Sequence, residues 1–284
     1  MKLLTQNQSI NKFFITGARW IIITLAGAGL LLFPLKIKAQ DMEVGIYGGV
    51  SYYLGDLNPG KHFANLQPAY GATLRYTLDP RWALKFGVYE GKVIGNSTQT
   101  NFLPGRDLKF SSQVTDISAE TEFNFFPYMT GSWRNFISPY IYAGFGVFFF
   151  NPMSGSQQLR PLGTEGQNDR YLGRKPYNTY NFSIPFGLGV KLSVSRRIGM
   201  TLFWEMHKTF TDYLDDVSTT YYLEGSQINP DDTGAVLSDP TRNHEPGMQR
   251  GNSRNNDWYS FSGITFSYRF DIHGSKRCRD MKYK

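Results

Sequence analysis

From about residue 43 onward the chain alternates apolar and polar positions, segment after segment. The cleanest run is Phe182, Ile184, Phe186, Leu188, Val190, Leu192 and Val194, with Ser183, Pro185, Gly187, Gly189, Lys191 and Ser193 between them. Successive side chains of a strand point to opposite faces, so this period predicts a ribbon with one greasy face and one small or polar face. Ile198, Met200, Leu202, Trp204 and Met206 repeat it opposite Gly199, Thr201, Glu205 and His207. Trp82, Leu84, Phe86 and Val88 oppose Lys85, Gly87 and Tyr89, and Ile141, Ala143, Phe145, Val147 and Phe149 oppose Tyr142, Gly144 and Gly146. Ile117, Ala119, Thr121, Phe123 and Phe125 oppose Asp116, Ser118, Glu120 and Glu122. Similar stretches near 43–54, 68–78 and 257–270 bring the predicted strands to eight.

A soluble sandwich also alternates, because it too buries one face of each sheet. Three features favour a membrane barrel. Several runs reach ten or more residues, about the length of a tilted membrane strand. The polar face carries full charges in mid-strand, mixed with glycines, as a narrow lumen requires. Arg75, Lys85, Asp116, Glu120, Glu122, Lys191, Glu205, His207 and Arg269 are therefore expected to form a structural charge network inside. Third, long connections (55–67, 95–110, 151–179, about 214–256) alternate with shorter ones (78–81, 128–138, 195–197). Outer-membrane barrels have long outside loops and short periplasmic turns, with both termini periplasmic. The expected fold is thus all-β: a transmembrane antiparallel up-and-down barrel of eight strands over residues 40–270. Pro185 cannot donate a ladder hydrogen bond, so a bulge or kink is expected there.

The first 39 residues hold five cations and no acid, then an uncharged run from Trp20 to Leu35 and a small residue, Ala39, before Gln40. That order reads as a secretory signal peptide cleaved after Ala39. It also explains the net charge of +7, since the 25 remaining cations face 23 acids. The basic bias belongs to an address, and nucleic-acid binding loses its main support. Cys278 is a lone cysteine, so no intramolecular disulfide is possible. The last strand ends on alternating aromatics, as barrel-insertion machinery reads them, and 271–284 forms a basic periplasmic tail.

Enzymatic and metal motifs are missing from the pattern. The four histidines (His62, His207, His244, His273) lack metal-ligand spacing, and no nucleophile elbow or phosphate loop occurs. No catalytic, cofactor or metal residue is expected. Glu205 and His207 share a polar face and could serve as an acid/base pair, but an interior hydrogen-bond network explains them better. Asp212, Asp215 and Asp216 form an acidic motif on the extracellular rim, expected to be hydrogen-bonded rather than calcium-binding. Asp231, Asp232 and Asp239 read as solvating charges in a flexible loop.

Several stretches are also familiar: Gly55–Asp56–Leu57, the run Glu122 to Tyr128, Ser138–Pro139–Tyr140, Ile184–Pro185–Phe186–Gly187, the run Lys208 to Ser218, and Arg250–Gly251–Asn252–Ser253 before Asp257–Trp258. Together they resemble the Bacteroidetes outer-membrane barrel family that includes PorG, of the type IX secretion system, over essentially the whole mature chain. The resemblance implies a non-enzymatic barrel without cofactor, attached to a periplasmic ring of PorK-like lipoprotein and PorN-like protein. Its expected partners are those ring proteins, outer-membrane lipid and lipopolysaccharide, and the barrel-insertion machinery. The candidate docking surface is the 128–138 turn with the 271–284 tail. The alternatives are a stand-alone barrel for envelope stability or adhesion, and a lipid-modifying barrel enzyme.

Overall fold

The computed structural model describes residues 41–100 and 105–270; the expected signal peptide (1–39), the tail (271–284), His273 and Cys278 lie outside the described residues. Eight long strands account for the barrel wall: β1 (Asp41–Leu54), β2 (Gln67–Thr77), β3 (Trp82–Asn96), β4 (Lys109–Asn124), β5 (Ile137–Ser154), β6 (Tyr180–Ser193), β7 (Ile198–Thr209) and β8 (Trp258–Phe270). Each pairs antiparallel with its sequence neighbours, and β8 closes on β1 from Met42↔Phe270 to Leu54↔Trp258. Closure leaves no unpaired edge. A two-residue strand, Gln157–Gln158, extends the end of β5 as a small hairpin.

The two-residue period is visible in burial. Along β3, every second residue from Ala83 to Gly95 is buried while the residues between are open or half-open. Outward positions are bare: Ile46 is 70% exposed and Phe145 79%. Inward positions carry the charges and the small residues. Gly144 is one of these, and a Cβ there would lie 2.1 Å from the carbonyl oxygen of Ala119, so any larger residue would push β4 and β5 apart.

Pro185 marks a gap in the ladder. It points inward and pairs with His207 on β7, while the ladder to β5 lapses between Ala143↔Phe186 and Gly146↔Ser183. The pairing resumes in the same register, so the missing donor opens a gap and inserts no extra residue. There is no bulge.

One end of the barrel carries tight turns. Asp79 Oδ1 accepts the backbone N–H groups of Arg81 and Trp82, and Val194 and Ser195 both donate to the carbonyl of Ile198. The longer turn 125–136 tucks Thr130 into the lumen. The other end carries loops 55–66 (L1), 97–108 (L2), 155–179 (L3) and 210–257 (L4). Residues 41 and 270 both lie at the tight-turn end, as an even strand number demands. L4 holds one short helix, α1 (Thr233–Ser238), whose first turn is capped by Asp232 Oδ1 accepting from Gly234 and Ala235. Among the described residues, no helix is long and apolar enough to cross a membrane.

Candidate functional sites: a charged lumen and a buried loop cap

All nine expected lumen residues point inward, and eight of them join two ion-pair groups. Near the tight-turn end, Arg75 bridges Glu122 (2.8 Å) and Glu43 (2.9 Å), and Lys191 reaches Glu122 at 2.6 Å. Higher up, Lys85 lies 2.6 Å from Glu120 and 3.3 Å from Glu205. Glu205 meets His207 at 2.7 Å, and His207 stacks on Tyr259, whose hydroxyl donates to Asp116 at 2.7 Å. Arg269 stands apart at the tight-turn mouth, donating to the carbonyl of Thr130 and lying 4.0 Å from Asp41. Fully desolvated charges are tolerated only when paired and hydrogen-bonded, and here each cation sits among acceptors.

The polar period alone did not single out Glu43, although it occupies an inward position of β1. Glu43 accepts from Thr130 (2.6 Å) and Ser267 (2.8 Å) as well as from Arg75. Thr130 thereby plugs the mouth. The space among Asp41, Glu43, Arg75 and Thr130 amounts to about 10 Å³, room for roughly one water. Glu205 and His207 are fully buried in this packing, so the pair belongs to the network.

The acidic motif of L4 is no open rim. Asp212, Asp215 and Asp216 are all buried, beneath a cap built by L1, L2, L3 and L4. Two arginines that sequence periodicity could not mark hold it together. Arg106 donates to the carbonyls of Asp56 (3.0 Å) and Arg250. Arg250 pairs with Glu165 (3.0 Å) and donates to the carbonyls of Asp216 (2.6 Å) and Ser238 (3.1 Å). Glu165 in turn accepts the backbone N–H groups of Ser218 and Thr219 at 2.9 and 3.1 Å. Below them, the Tyr53 hydroxyl donates to Asp215 (2.5 Å) and Asp257 (3.2 Å), and Asp56 accepts from the backbone of Asn252 at 2.8 Å. The three loop stretches singled out in the sequence (55–57, 208–218, 250–253) therefore meet in one place. Asp232 and Asp239 are likewise not mere solvating charges: Asp232 caps α1, and buried Asp239 lies 2.9 Å from His244. A polar loop packed on itself must satisfy its own backbone, and these side chains do so.

Burial of so many carboxylates raises their pKa values. Asp212 is pushed up to about 9, chiefly by desolvation, with Asp215, Asp56 and Glu165 adding to the rise and the Ser218 hydroxyl opposing it. Desolvation also lifts Asp56 and Asp216 to about 6, and holds Asp215 and Asp257 well above the usual carboxylate range. Among the described residues, no group of three or more His, Cys, Asp or Glu side chains is arranged to hold a metal ion.

L1 also folds down over the outside of the wall. Tyr52, Ser260 and Met206 form one outward row across β1, β8 and β7, yet Tyr52 is 0% and Met206 5% exposed. Phe63 and His62 cover them, their rings 5.1 and 6.0 Å from that of Tyr52. The outward face is therefore greasy below this row, and L1 seals the row itself.

Residues 24–279 match the model of a family described as "Domain of unknown function (DUF6089)", and the chain belongs to that family. No curated protein matches it. Among solved structures, Ail of Yersinia pestis is similar at a TM-score of 0.41 and 10% identity, over 82% of this chain and 99% of that one. Neisserial surface protein A gives 0.41 and 9%, over 81% and 97%, and OprG of Pseudomonas aeruginosa 0.36 and 10%, over 82% and 97%.

Proposed function

We propose that this DUF6089 protein is an outer-membrane β-barrel, both termini periplasmic, serving without catalysis as a PorG-like component of a type IX protein secretion complex. The observation that carries the membrane reading is a closed wall with a bare apolar exterior around an interior filled by paired charges. Water would not tolerate the first, and a pore would not contain the second. Tight turns then face the periplasm and the L1–L4 cap faces outward. The secretion role is supported by the motif resemblance, and by the turn 125–136, on which Trp133 (80% exposed) and Phe126 are exposed. Exposed aromatics on a hydrogen-bonded turn suit docking of a protein ring.

The test is pull-down of the full protein from membranes in mild detergent. Periplasmic ring proteins are expected to co-purify with the wild type, and to be lost from F126A/W133A while the barrel stays folded. Repeated recovery of the barrel alone, with surface delivery of secreted cargo intact in a deletion strain, would overturn the secretion role. That result would favour a stand-alone barrel, a reading to which the ordered four-loop cap lends support. The lipid-modifying reading is disfavoured by the burial of Glu205 and His207; it requires altered lipid A on deletion, reproduced by Glu205→Gln.

A further inference from the structure

On the outer wall, where β1, β8 and β7 end side by side, a groove of about 540 Å³ opens between L1 and the last residues of L4. Its floor is apolar: Leu54, Trp258 and Met206 all project from outward positions of their strands. Above the floor the chemistry changes sign. Lys208 stands next to Trp258 across the β7–β8 ladder, its Nζ 5.8 Å from the indole centroid, and Arg254 reaches the same groove from L4. Both cations are exposed, and the amides of Asn255 and Asn256 lie beside them. The carboxylate at the wall is Asp56, whose Oδ2 is engaged by the backbone N–H of Asn252 at 2.8 Å and whose acidity burial weakens, to about 6.

We propose that this groove binds the phosphorylated headgroup of an outer-leaflet glycolipid of the lipid A type. Lys208 and Arg254 grip the phosphate, and Trp258 and Leu54 meet the first part of the acyl chains. A free anion would use only the cations, and an acyl chain only the floor; an amphipathic phospholipid or glycolipid uses both. The groove lies one to two rows above Trp204 on the outward face, at the level where aromatic and basic residues meet headgroups. L1, which seals the Tyr52 row just beneath, gives the site a rigid side. The inference rests on the outer-membrane placement proposed above.

Native mass spectrometry of the folded barrel in detergent tests it, with bis-phosphorylated lipid A as the probe and phosphatidylethanolamine as the comparison. A basic residue near an anionic lipid surface contributes about five-fold in affinity, so K208A/R254A should bind lipid A about 25-fold more weakly. K109A, whose lysine pairs with Asp107 at 2.9 Å elsewhere on the surface, should bind as wild type. Unchanged binding by the double variant would overturn the proposal, as would displacement of lipid A by equimolar inorganic phosphate or equal retention of phosphatidylethanolamine. Membrane fractionation, scored separately, reports the outer-membrane placement: a membrane-inserted barrel whose double variant still holds lipid A sinks the groove and leaves that placement standing.

Discussion

The indole N–H of Trp204 donates to the hydroxyl of Tyr52 across 2.9 Å, on the outside of the barrel. The same hydroxyl lies 3.2 Å from His62 Nδ1, so a side chain that parity sends outward becomes the hinge pin of L1. Tyr52→Phe removes these bonds, and the hydroxyl's donation to Met206 Sδ at 3.4 Å, and leaves the ring. The expected cost is about 1 kcal/mol of local stability, read as roughly five-fold faster tryptic cleavage at exposed Lys61 in L1. Cleavage at the wild-type rate would show that aromatic packing alone holds the loop.

The lumen offers a sharper energetic test. Arg75→Ala leaves Glu43 and Glu122 buried with a shared partner gone, and should destabilise the barrel by about 3–5 kcal/mol, measured as the urea midpoint of reversible unfolding in detergent. Neutralising the whole group, Glu43→Gln and Glu122→Gln with Arg75→Met and Lys191→Met, should recover most of that loss, because no uncompensated charge remains. A quadruple variant as weak as Arg75→Ala would mean that the ion pairs themselves supply the stability.

Arg250 plays the corresponding part in the cap. Its removal leaves buried Glu165 without its cation and frees the carbonyls of Asp216 and Ser238. Arg250→Ala should open L3 and L4 to protease while the barrel keeps its heat-modifiable migration on gels, since no wall strand depends on that guanidinium. Loss of the folded band would show that cap and wall fold as one unit.

The cap should also loosen as pH rises. Asp56 and Asp216 shift from the ordinary 3.8 to about 6 and Asp212 to about 9, so the folded cap binds protons more tightly than the unfolded chain. Their contribution is complete below about 3.8, falls as pH climbs through 6, and is gone above 9. Hydrogen exchange in L4 should therefore quicken from pH 5 to pH 9 beyond the intrinsic base-catalysed rise. Asp212→Asn should flatten the upper part of that curve; an unaltered slope would remove Asp212 as its source.

Much of this architecture was legible in the chain itself. Phe182 to Val194 and Ile198 to Met206 declare their strands and faces because side-chain direction repeats every two residues, a property decided by immediate neighbours. The same parity placed Lys85, Glu120, Glu122, Lys191 and Glu205 inside, and the alternation of short and long connections set residues 41 and 270 at the tight-turn end. What parity cannot supply is which inward charge meets which. Arg75 finds Glu122 and Glu43, rather than Glu120, through the register of a closed wall, in which residues 47 positions apart come within 2.8 Å.

The cap and the Tyr52 row were decided by tertiary structure alone. Arg106, Glu165 and Arg250 lie in loops with no period, and their pairing depends on four connections folding over one barrel end, so no local signal could announce it. Tyr52 and Met206 obey the strand period and point outward, yet L1 returns across the wall and buries them. Sequence determines a side chain's direction from its own strand; whether solvent, lipid or another segment waits there depends on contacts between distant parts of the chain.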